Sequence, residues 1–389
     1  MRTTGTIARG IRTPLIKAGD DVAQMVIDSV LAAAGNEGFE LRDRDVLGIT
    51  EAVVGRAQGN YATCAQVAKD IRNKFPGGTL AITFPILSRN RFANILRGIA
   101  QGCDKLYILL SYPSDEVGNE LVSWDMIDAA GVNPYTDVLN EDQYREKFGY
   151  ETRHFFTNID YVSYYQSFGD HIEIIFANDV RKILDYTKHV LCCDIHSRFR
   201  SLRLLKEAGA ETAFALDDIL SQPVDGSGYS DYGLLGSNKA TENSLKLFPR
   251  DCQALVDDIA RRLKEATGKN IEVMVYGDGA FKDPVSKIWE LADPVSSPGF
   301  TAGLRGTPNE IKLKLMLDNE FSGMSDDEIR REMDKAIKTK GSNLDERALG
   351  TTPRHYTDLL GSLCDLVSGS GDKGTPIVLV QGYFDNYAS

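Results

Sequence analysis

The segment Val275–Pro284 carries the residues of the chain that are best suited to chemistry. An apolar stretch delivers Asp278 between two glycines, and Lys282 and Asp283 follow shortly after it. Loops at strand ends commonly present catalytic groups, and glycines let a ligand approach the backbone closely. A carboxylate in this position can hold a divalent metal ion on a nucleotide phosphate. The alternative interpretation is an ordinary Gly-Asp-Gly turn.

A second glycine-rich loop covers residues 369–374 and contains Ser370, Asp372 and Lys373. Its backbone N–H groups and its lysine suit an anion. The loop lacks the G-x-x-x-x-G-K-[ST] spacing of a phosphate-binding loop. Two interpretations therefore stay open, an anion-binding loop and a flexible connection.

Two other polar groupings lie in the first two thirds of the chain. The segment Ser88–Arg91 places two arginines at the start of a predicted helix, which suits a phosphate or a carboxylate, although a solvated surface turn has the same pattern. Asp194 and His196 follow a predicted strand that ends at Cys193, where parallel sheets bind ligands. They are candidates for an acid–base or metal pair, or for a purely structural role.

Hydrophobic periodicity predicts the elements that must position these groups. Helices are predicted over residues 20–35, 62–75, 88–99, 180–187, 199–208, 252–266, 325–338 and 356–367. Strands are predicted over residues 45–54, 80–84, 106–110, 172–176, 190–193, 213–216, 271–276 and 377–380. The alternation over 172–216 predicts a small parallel sheet with crossover helices. The fold class is therefore mixed α/β or α+β, and a length of 389 residues predicts two or three domains.

Composition excludes several classes of protein. A net charge of -12 argues against a general nucleic-acid binder, which needs a basic face for phosphates. No apolar run approaches the roughly 18 residues of a membrane span, and arginines interrupt the segment Met1–Lys17, so no secretory signal is expected. The six cysteines are scattered without a C-x-x-C pair, which argues against a zinc site or a disulfide framework. We expect a cytoplasmic protein without membrane partners.

Five stretches occur together in a characteristic order. They are Arg12–Asp21, Ile49–Gly59, Gly236–Asn238 with Leu247–Asp251, the loop around Asp278, and the segment from Asp358 through Gly369 to Gly382. The ordered set resembles the coenzyme F420:L-glutamate ligases, enzymes that add γ-linked glutamate to a deazaflavin cofactor. The resemblance covers the two chain ends, about half of the length, and its specificity lies in the order rather than in any one motif.

The resemblance implies a reaction in two steps. GTP phosphorylates a carboxylate of the acceptor, and the amine of L-glutamate then attacks the acyl phosphate, with Mg²⁺ or Mn²⁺ on the phosphates. The acceptor would be a carboxylate-bearing cofactor, a deazaflavin or another such as a folate. The resemblance also implies a homodimer.

The resemblance assigns roles residue by residue. The nucleotide would contact Thr13, Pro14, Leu15, Thr50, Glu51, Arg56, Asn238, Gly369, Ser370, Gly371 and Asp372. The catalytic residues would be Asp278, Lys282 and Arg56. The metal would be held by Asp278, with Asp283 or Asp231 in place of an aspartate that the family carries where this chain has Leu235.

The chain also departs from the family pattern. Arg56 stands where the family usually has a lysine, which changes the geometry of phosphate contacts, and Gly279 replaces a hydroxyl residue. Residues 104–225 resemble an insertion between two parts of a ligase-like core, 1–103 and 226–389, the second with a helical insertion near 308–340. Two alternatives stay open: a non-catalytic nucleotide-binding protein on the same scaffold, and a flavin- or nicotinamide-binding oxidoreductase, although no glycine fingerprint follows a strand.

Overall fold

A computed structural model describes residues 4–150, 152–154, 157–278, 295–321, 323–341, 354–368 and 373–386. Its described strands are β1 (Ile7–Ile11), β2 (Val46–Thr50), β3 (Tyr61–Thr63), β4 (Thr79–Thr83), β5 (Lys105–Leu110), β6 (Leu139–Asn140), β7 (Ile172–Phe176), β8 (His189–Cys192), β9 (Thr212–Ala215), β10 (Asn238–Thr241), β11 (Ser244–Lys246), β12 (Glu272–Asp278), β13 (Val295–Phe300) and β14 (Ile377–Gln381).

The described helices are α1 (Val22–Glu37), α2 (Glu51–Ala57), α3 (Cys64–Lys74), α4 (Phe92–Gln101), α5 (Trp124–Ala130), α6 (Glu141–Phe148), α7 (Tyr161–Gln166), α8 (Arg198–Glu207), α9 (Cys252–Thr267), α10 (Leu313–Asn319), α11 (Asp326–Thr339) and α12 (Tyr356–Ser368). Most of the described helices pack against a sheet, while α10 and α11 form a small apolar cluster of their own. Short 3₁₀ helices cover Val180–Asp185, Leu216–Asp218 and Ala302–Leu304. The chain divides into two compact units, the first made of residues 1–58 and 251–389 and the second of residues 59–250.

The first unit contains a five-stranded mixed sheet in the order β1-β14-β2-β12-β13. Strands β2 and β12 are parallel, and the other neighbours are antiparallel. Side chains alternate between the two faces, as the period of a strand requires. Leu47 and Ile49 pack in one core with α1 and α9, while Val46 packs in a second core with α12. Both faces are therefore covered, and this explains the nearly continuous apolar runs in β2, β12 and β14.

Helix α1 shows how the sequence sets the ends of an element. The Asp21 side chain accepts a hydrogen bond from the Gln24 N–H, and Gly38 ends the helix in a left-handed conformation with φ of 66°. Between them Val22, Val26 and Val30 recur at a spacing of four residues and are buried. The helix therefore presents one apolar stripe to the sheet and leaves its other faces to polar and small residues.

The second unit contains a six-stranded sheet in the order β6-β7-β5-β4-β8-β9. All neighbours except the antiparallel pair β6 and β7 are parallel. Helix α4 packs in the core that contains Ile82 and Ile108, and Leu205 of α8 packs in the core that contains Ala81 and Leu109. The two crossover helices therefore cover opposite faces. A smaller antiparallel sheet, β10-β11-β3, belongs to the same unit.

The structure confirms the mixed fold class and the predicted parallel strands over 172–216. The parallel sheet is larger than predicted, because β4 lies between β5 and β8 in the same sheet. The boundaries between the two compact units lie at 58/59 and 250/251, whereas sequence analysis predicted domain boundaries at 103/104 and 225/226. The sequence of a single apolar strand such as β4 does not indicate which sheet the strand joins. The extent of this unit could therefore not be predicted from periodicity.

Three local predictions also differ from the structure. The strand predicted over 45–54 ends at Thr50, and α2 begins with the next residue. Val54 is buried as predicted, but it belongs to the helix and not to the strand. The helix predicted over 62–75 begins after the short strand β3. The helix predicted over 180–187 is a 3₁₀ helix over Val180–Asp185. None of the described helices combines the length and the apolar character that a membrane span needs.

Candidate active site

Four of the segments singled out by sequence converge on one edge of the five-stranded sheet. Strands β2 and β12 run in parallel with Thr50 opposite Tyr276, so their carboxyl ends lie side by side. Strand β14 begins at the same edge, where the Thr50 N–H donates to the Pro376 carbonyl at 3.0 Å. Strand β1 ends there, with Ile11 opposite Ile377. We call this the strand-end edge and define it as residues 11–15, 50–51, 277–278 and 373–377.

The turn from β2 into α2 presents the second of these segments. Thr50 has extended backbone angles, and the helix starts with the next residue. Glu51 is buried, with 4% of its surface exposed, whereas Arg56 is exposed near the end of the helix. Strand and helix join without a loop, so the position of Glu51 is fixed by the sheet register.

The segment after β1 is exposed at the strand-end edge. Leu15 has 88% of its surface exposed, which is unusual for a large apolar side chain, and Thr13 is half-buried. The Lys17 N–H donates to the Asp20 carboxylate at 2.6 Å, and the Gly19 N–H donates to the Ala57 carbonyl at 2.8 Å. The first bond closes a turn within the segment, and the second ties the segment to the end of α2, so two predicted nucleotide-binding segments lie in one region of the first unit.

Asp278 is the last residue of β12, opposite Val295 of β13. Its backbone therefore lies at the strand-end edge beside Thr50, two positions beyond Tyr276. Its side chain lies outside the described part of the structure, as do Lys282, Asp283 and the loop residues Gly369, Ser370, Gly371 and Asp372. Lys373 is described and exposed, just before β14.

Two predicted site residues belong to the second unit. Asn238 begins β10 and pairs with Lys246 of β11. Asp231 is exposed in the turn before β10. In the same unit Arg89 is exposed, and the Arg91 N–H donates to the Ser88 hydroxyl at 3.1 Å just before α4.

A groove that sequence analysis missed opens beside β1. It has a volume of about 940 Å³ and is lined by residues 9–14 and by one face of α1 and its end, from Asp28 to Phe39. Its Thr13 end belongs to the strand-end edge. No motif predicted it, because it depends on the packing of a helix against the outer strand of a sheet. The periodicity of α1 did predict which of its faces is buried, and the groove lies against a different one.

Carboxylate and hydroxyl oxygens of the kind that Mg²⁺ and Mn²⁺ prefer occur at the strand-end edge. The described groups are the buried Glu51 carboxylate and the hydroxyls of Thr13 and Thr50. The backbone of Asp278 lies at the same edge. Within the described ranges no three His, Cys, Asp or Glu side chains are grouped closely enough to hold a metal ion. The donor chemistry therefore fits a hard divalent cation if the Asp278 carboxylate takes part.

Taken together, the fold and the site define a mixed α+β protein with polar side chains at the carboxyl ends of two parallel strands. The sequence profile of the F420-0:gamma-glutamyl ligase family matches residues 10–382 of the chain. The chain therefore belongs to this family, and it is a ligase that acts on small molecules. A comparison with curated proteins found no match. The match includes residues 104–225, so the region that resembled an insertion lies within the span of the family profile.

Proposed function

We propose that the chain joins L-glutamate to a carboxylate-bearing cofactor through a γ-glutamyl type amide bond, with GTP as the activating nucleotide. The observation that carries the proposal is that two predicted nucleotide-binding segments, residues 13–15 and 50–51, lie at the strand-end edge with the backbone of the predicted metal ligand Asp278. These segments are far apart in sequence, and only the pairing of β1, β2, β12 and β14 gives them a common edge. A shared edge is what a single extended ligand requires.

The proposed reaction conserves atoms in two steps. A carboxylate oxygen of the acceptor attacks the γ-phosphorus of GTP, and GDP leaves. The amine nitrogen of L-glutamate then attacks the carbonyl carbon of the acyl phosphate, loses a proton, and expels inorganic phosphate. Positioning and charge neutralisation account for most of the catalysis in such phosphoryl transfers.

Different residues of the chain bind the nucleotide and neutralise its charge. Thr13, Pro14, Leu15, Thr50 and Glu51 approach the nucleotide, and the exposed cations Arg56 and Lys373 neutralise phosphate charge. A bound Mg²⁺ or Mn²⁺ would supply further neutralisation of the phosphates and would be held by Asp278. Asn238, Lys282, Asp283, Asp231 and the loop 369–372 keep their predicted roles within the proposal.

The first test measures nucleotide binding. The full chain is heated with GTP, ATP or GDP, each with Mg²⁺ or Mn²⁺, and the melting temperature is compared with that of the chain alone. A ligand present at 100 times its dissociation constant stabilises the folded state by about 2.7 kcal/mol. We expect the largest shift with GTP and a metal. A chain that no nucleotide stabilises would contradict the proposal.

The second test measures the reaction. The chain is incubated with GTP, Mn²⁺, L-glutamate and either a deazaflavin cofactor with a free carboxylate or a folate. We expect one phosphate released for each glutamate joined to the acceptor. Binding of GTP without turnover of any acceptor would favour the non-catalytic alternative. A Glu265→Gln variant is the matched control, because Glu265 is exposed on α9 and pairs only at the surface with Arg261.

The proposal also includes a homodimer in a reducing cytoplasm. All six cysteines are buried and free, which supports a reducing compartment. A mass measurement in solution checks the dimer against the chain mass of 42.9 kDa.

A further inference from the structure

Three neighbouring parallel strands of the second unit, β4, β8 and β9, end in polar side chains that the proposed function does not use. Thr83 is the last residue of β4, while Asp194 and Asp217 follow the ends of β8 and β9 by two residues. The sequence made Asp194 a candidate for an acid–base or metal pair with His196. The order of the strands instead places Thr83 and Asp217 on either side of Asp194.

The strand register brings these three side chains to one face of the sheet. Thr83 is opposite Cys192, and Cys192 is opposite Ala215. Because side chains alternate along a strand, Asp194 and Asp217 point to the same face as the residues two positions before them. Burial raises the pKa of the Cys192 thiol to about 12, and the nearby charges of Asp194 and Asp217 act in the same direction. The Thr83 hydroxyl lowers the same pKa, so all three groups lie close to this sulfur atom.

Each of the three groups has a buried oxygen atom that is not used by the protein. Thr83 Oγ1, Asp194 Oδ1 and Asp217 Oδ1 accept no hydrogen bond from any residue that the structure describes. Thr83 and Asp194 are themselves fully buried. Buried polar atoms are paired in most proteins, and an unpaired one destabilises the fold unless a ligand satisfies it. Three such acceptors at the ends of adjacent strands therefore point to a ligand that carries positive charge.

The charges around these oxygens favour a cation. Asp194 and Asp217 lie about 5 Å apart at the spacing of neighbouring strands. The Arg198 side chain donates to Asp217 Oδ2 at 3.2 Å, whereas no described cation forms an ion pair with Asp194. A proton is the other means of neutralising Asp194, because burial raises the pKa of this carboxyl. One proton satisfies one oxygen, however, and one cation satisfies all three.

The donor set fits Mg²⁺ best. Mg²⁺ is commonly bound through one or two carboxylates and keeps several water molecules, whereas Ca²⁺ needs six to eight oxygen ligands. The side chain of Asp217 is 25% exposed, so water reaches the site from this side. The raised pKa of Cys192 keeps its thiol protonated at neutral pH, which disfavours a soft metal. Two carboxylates and a hydroxyl also differ from a group of three acidic, His or Cys ligands, of which the described ranges contain none.

We propose that Asp194 and Asp217 bind one Mg²⁺ ion at the carboxyl ends of β8 and β9, with Thr83 as a third oxygen ligand, and that this ion stabilises the second unit. The site belongs to a different unit from Asp278 and needs no nucleotide. The inference is therefore independent of the proposed function. The ion is structural, so kcat for ligation does not depend on it once the chain is folded.

The first measurement is the melting temperature of the full chain as a function of Mg²⁺ concentration. The chain is treated with EDTA, dialysed, and heated without nucleotide in buffers of equal ionic strength. A ligand that binds only the folded state stabilises it. We expect a rise of about 3 to 6 °C at 100 times the dissociation constant of the site. A parent chain that Mg²⁺ does not stabilise would overturn the inference.

An Asp217→Asn variant tests whether the ion is held at this place. The change removes one charged ligand, and Asp217 is partly exposed, so the variant should fold. We expect the midpoint of the Mg²⁺ titration to rise by at least about 10-fold, since losing even a partner of a metal ligand costs that much. A Thr83→Val variant removes a neutral ligand and should raise the midpoint by less.

An Asp179→Asn variant is the matched control. Asp179 also follows a strand of the six-stranded sheet, but both of its oxygens already bond to Arg181. It should keep the parent midpoint, and a loss of the Mg²⁺ response in this control would overturn the inference, because the response would then come from general surface charge. An Asp217→Asn chain with the parent midpoint would overturn it as well. If Asp217→Asn did not fold, an unchanged midpoint in Thr83→Val would have the same consequence.

Discussion

The two units place similar polar side chains at strand ends and use them differently. In the six-stranded sheet Asp194 accepts hydrogen bonds from the hydroxyls of Ser197 at 2.7 Å and Ser201 at 2.8 Å. Glu116 accepts from the backbone N–H groups of Ile195 and His196. In the five-stranded sheet the strand-end edge instead presents exposed cations and an exposed apolar side chain. Polar groups that bond to each other stabilise a fold, and groups left exposed remain available to a ligand.

Topology alone would have favoured the opposite assignment. The chain order in the six-stranded sheet reverses at β4, with β5 and β7 on one side and β8 and β9 on the other. In open parallel sheets such a reversal usually opens a ligand-binding crevice. Here the Glu116 carboxylate already covers the backbone N–H groups that lead into α8. The N–H groups at this end of the sheet are therefore occupied, and the Ser197 and Ser201 hydroxyls share one oxygen of Asp194, while its other oxygen, Oδ1, is buried without a hydrogen-bond partner among the described residues.

An Asp278→Asn variant is the most direct test of the assignment of function to the five-stranded sheet. The change keeps the shape of the side chain but removes the charge proposed to hold the metal ion on the phosphates. We expect ligation to fall by about 100- to 1,000-fold, as when one preorganised group that stabilises a transition state is lost. Stability in urea should change little, because the residue lies at the end of β12. The measurement is kcat for glutamate transfer at saturating Mn²⁺ and GTP.

An Asp194→Asn variant provides the matching change in the second unit. It should keep kcat per folded molecule, since Asp194 bonds to the protein's own hydroxyls. If Asp194→Asn abolished ligation and Asp278→Asn did not, the assignment of function to the five-stranded sheet would be wrong.

The sequence predicted the elements of the site better than the extent of the sheets. The strand before Asp278, the helix α9 and the final strand β14 follow from apolar periodicity and glycine stops, which are local signals. The antiparallel pairing of β1 with β14 joins residues about 370 positions apart, and no local pattern records it. The family resemblance supplied the residues of the edge, and only the register of the strands explains why those residues lie together.

The polar network of the second unit shows a second limit of prediction from sequence. Asp194 and His196 follow an apolar strand, and by position they were candidates for an acid–base or metal pair. Their environment depends on Ser197 and Ser201 of the following helix segment and on Glu116, which is about 80 residues away. A sequence pattern cannot distinguish a bonded carboxylate from an available one, because burial and partners are set by tertiary packing.

The second prediction concerns stability rather than activity. Asp194 is fully buried, and its removal in an Asp194→Ala variant leaves the hydroxyls of Ser197 and Ser201 without their acceptor. We expect a loss of about 3 to 4 kcal/mol in the free energy of unfolding, measured by urea denaturation. A Ser197→Ala variant, which removes one donor only, should lose about 1 kcal/mol. If the Asp194→Ala chain were stable but had lost ligation, Asp194 would have a functional role and not a structural one.

The third and smallest effect is a pH dependence at Glu116. Burial raises the pKa of Glu116 to about 7 from an ordinary value of 4.5, and the nearby charges of Asp194 and Asp115 act in the same direction, while the N–H groups of Ile195 and His196 lower it. The folded chain thus holds a proton that the unfolded chain has already lost between about pH 4.5 and 7. This stabilisation is complete below about pH 4.5 and is lost as the pH rises through about 7.

A Glu116→Gln variant removes this titration and leaves Asp115 and Asp194 in place. Between pH 4.5 and 8 we expect the parent chain to lose about 2 to 3 kcal/mol more unfolding free energy than the variant, measured by urea denaturation at each pH. Ligation by the variant at pH 7 should match that of the parent, because the bonds of Glu116 lie within the second unit. Parallel stability curves for the two chains would mean that Glu116 is solvated, and its loop would then leave the N–H groups of Ile195 and His196 open to a ligand after all.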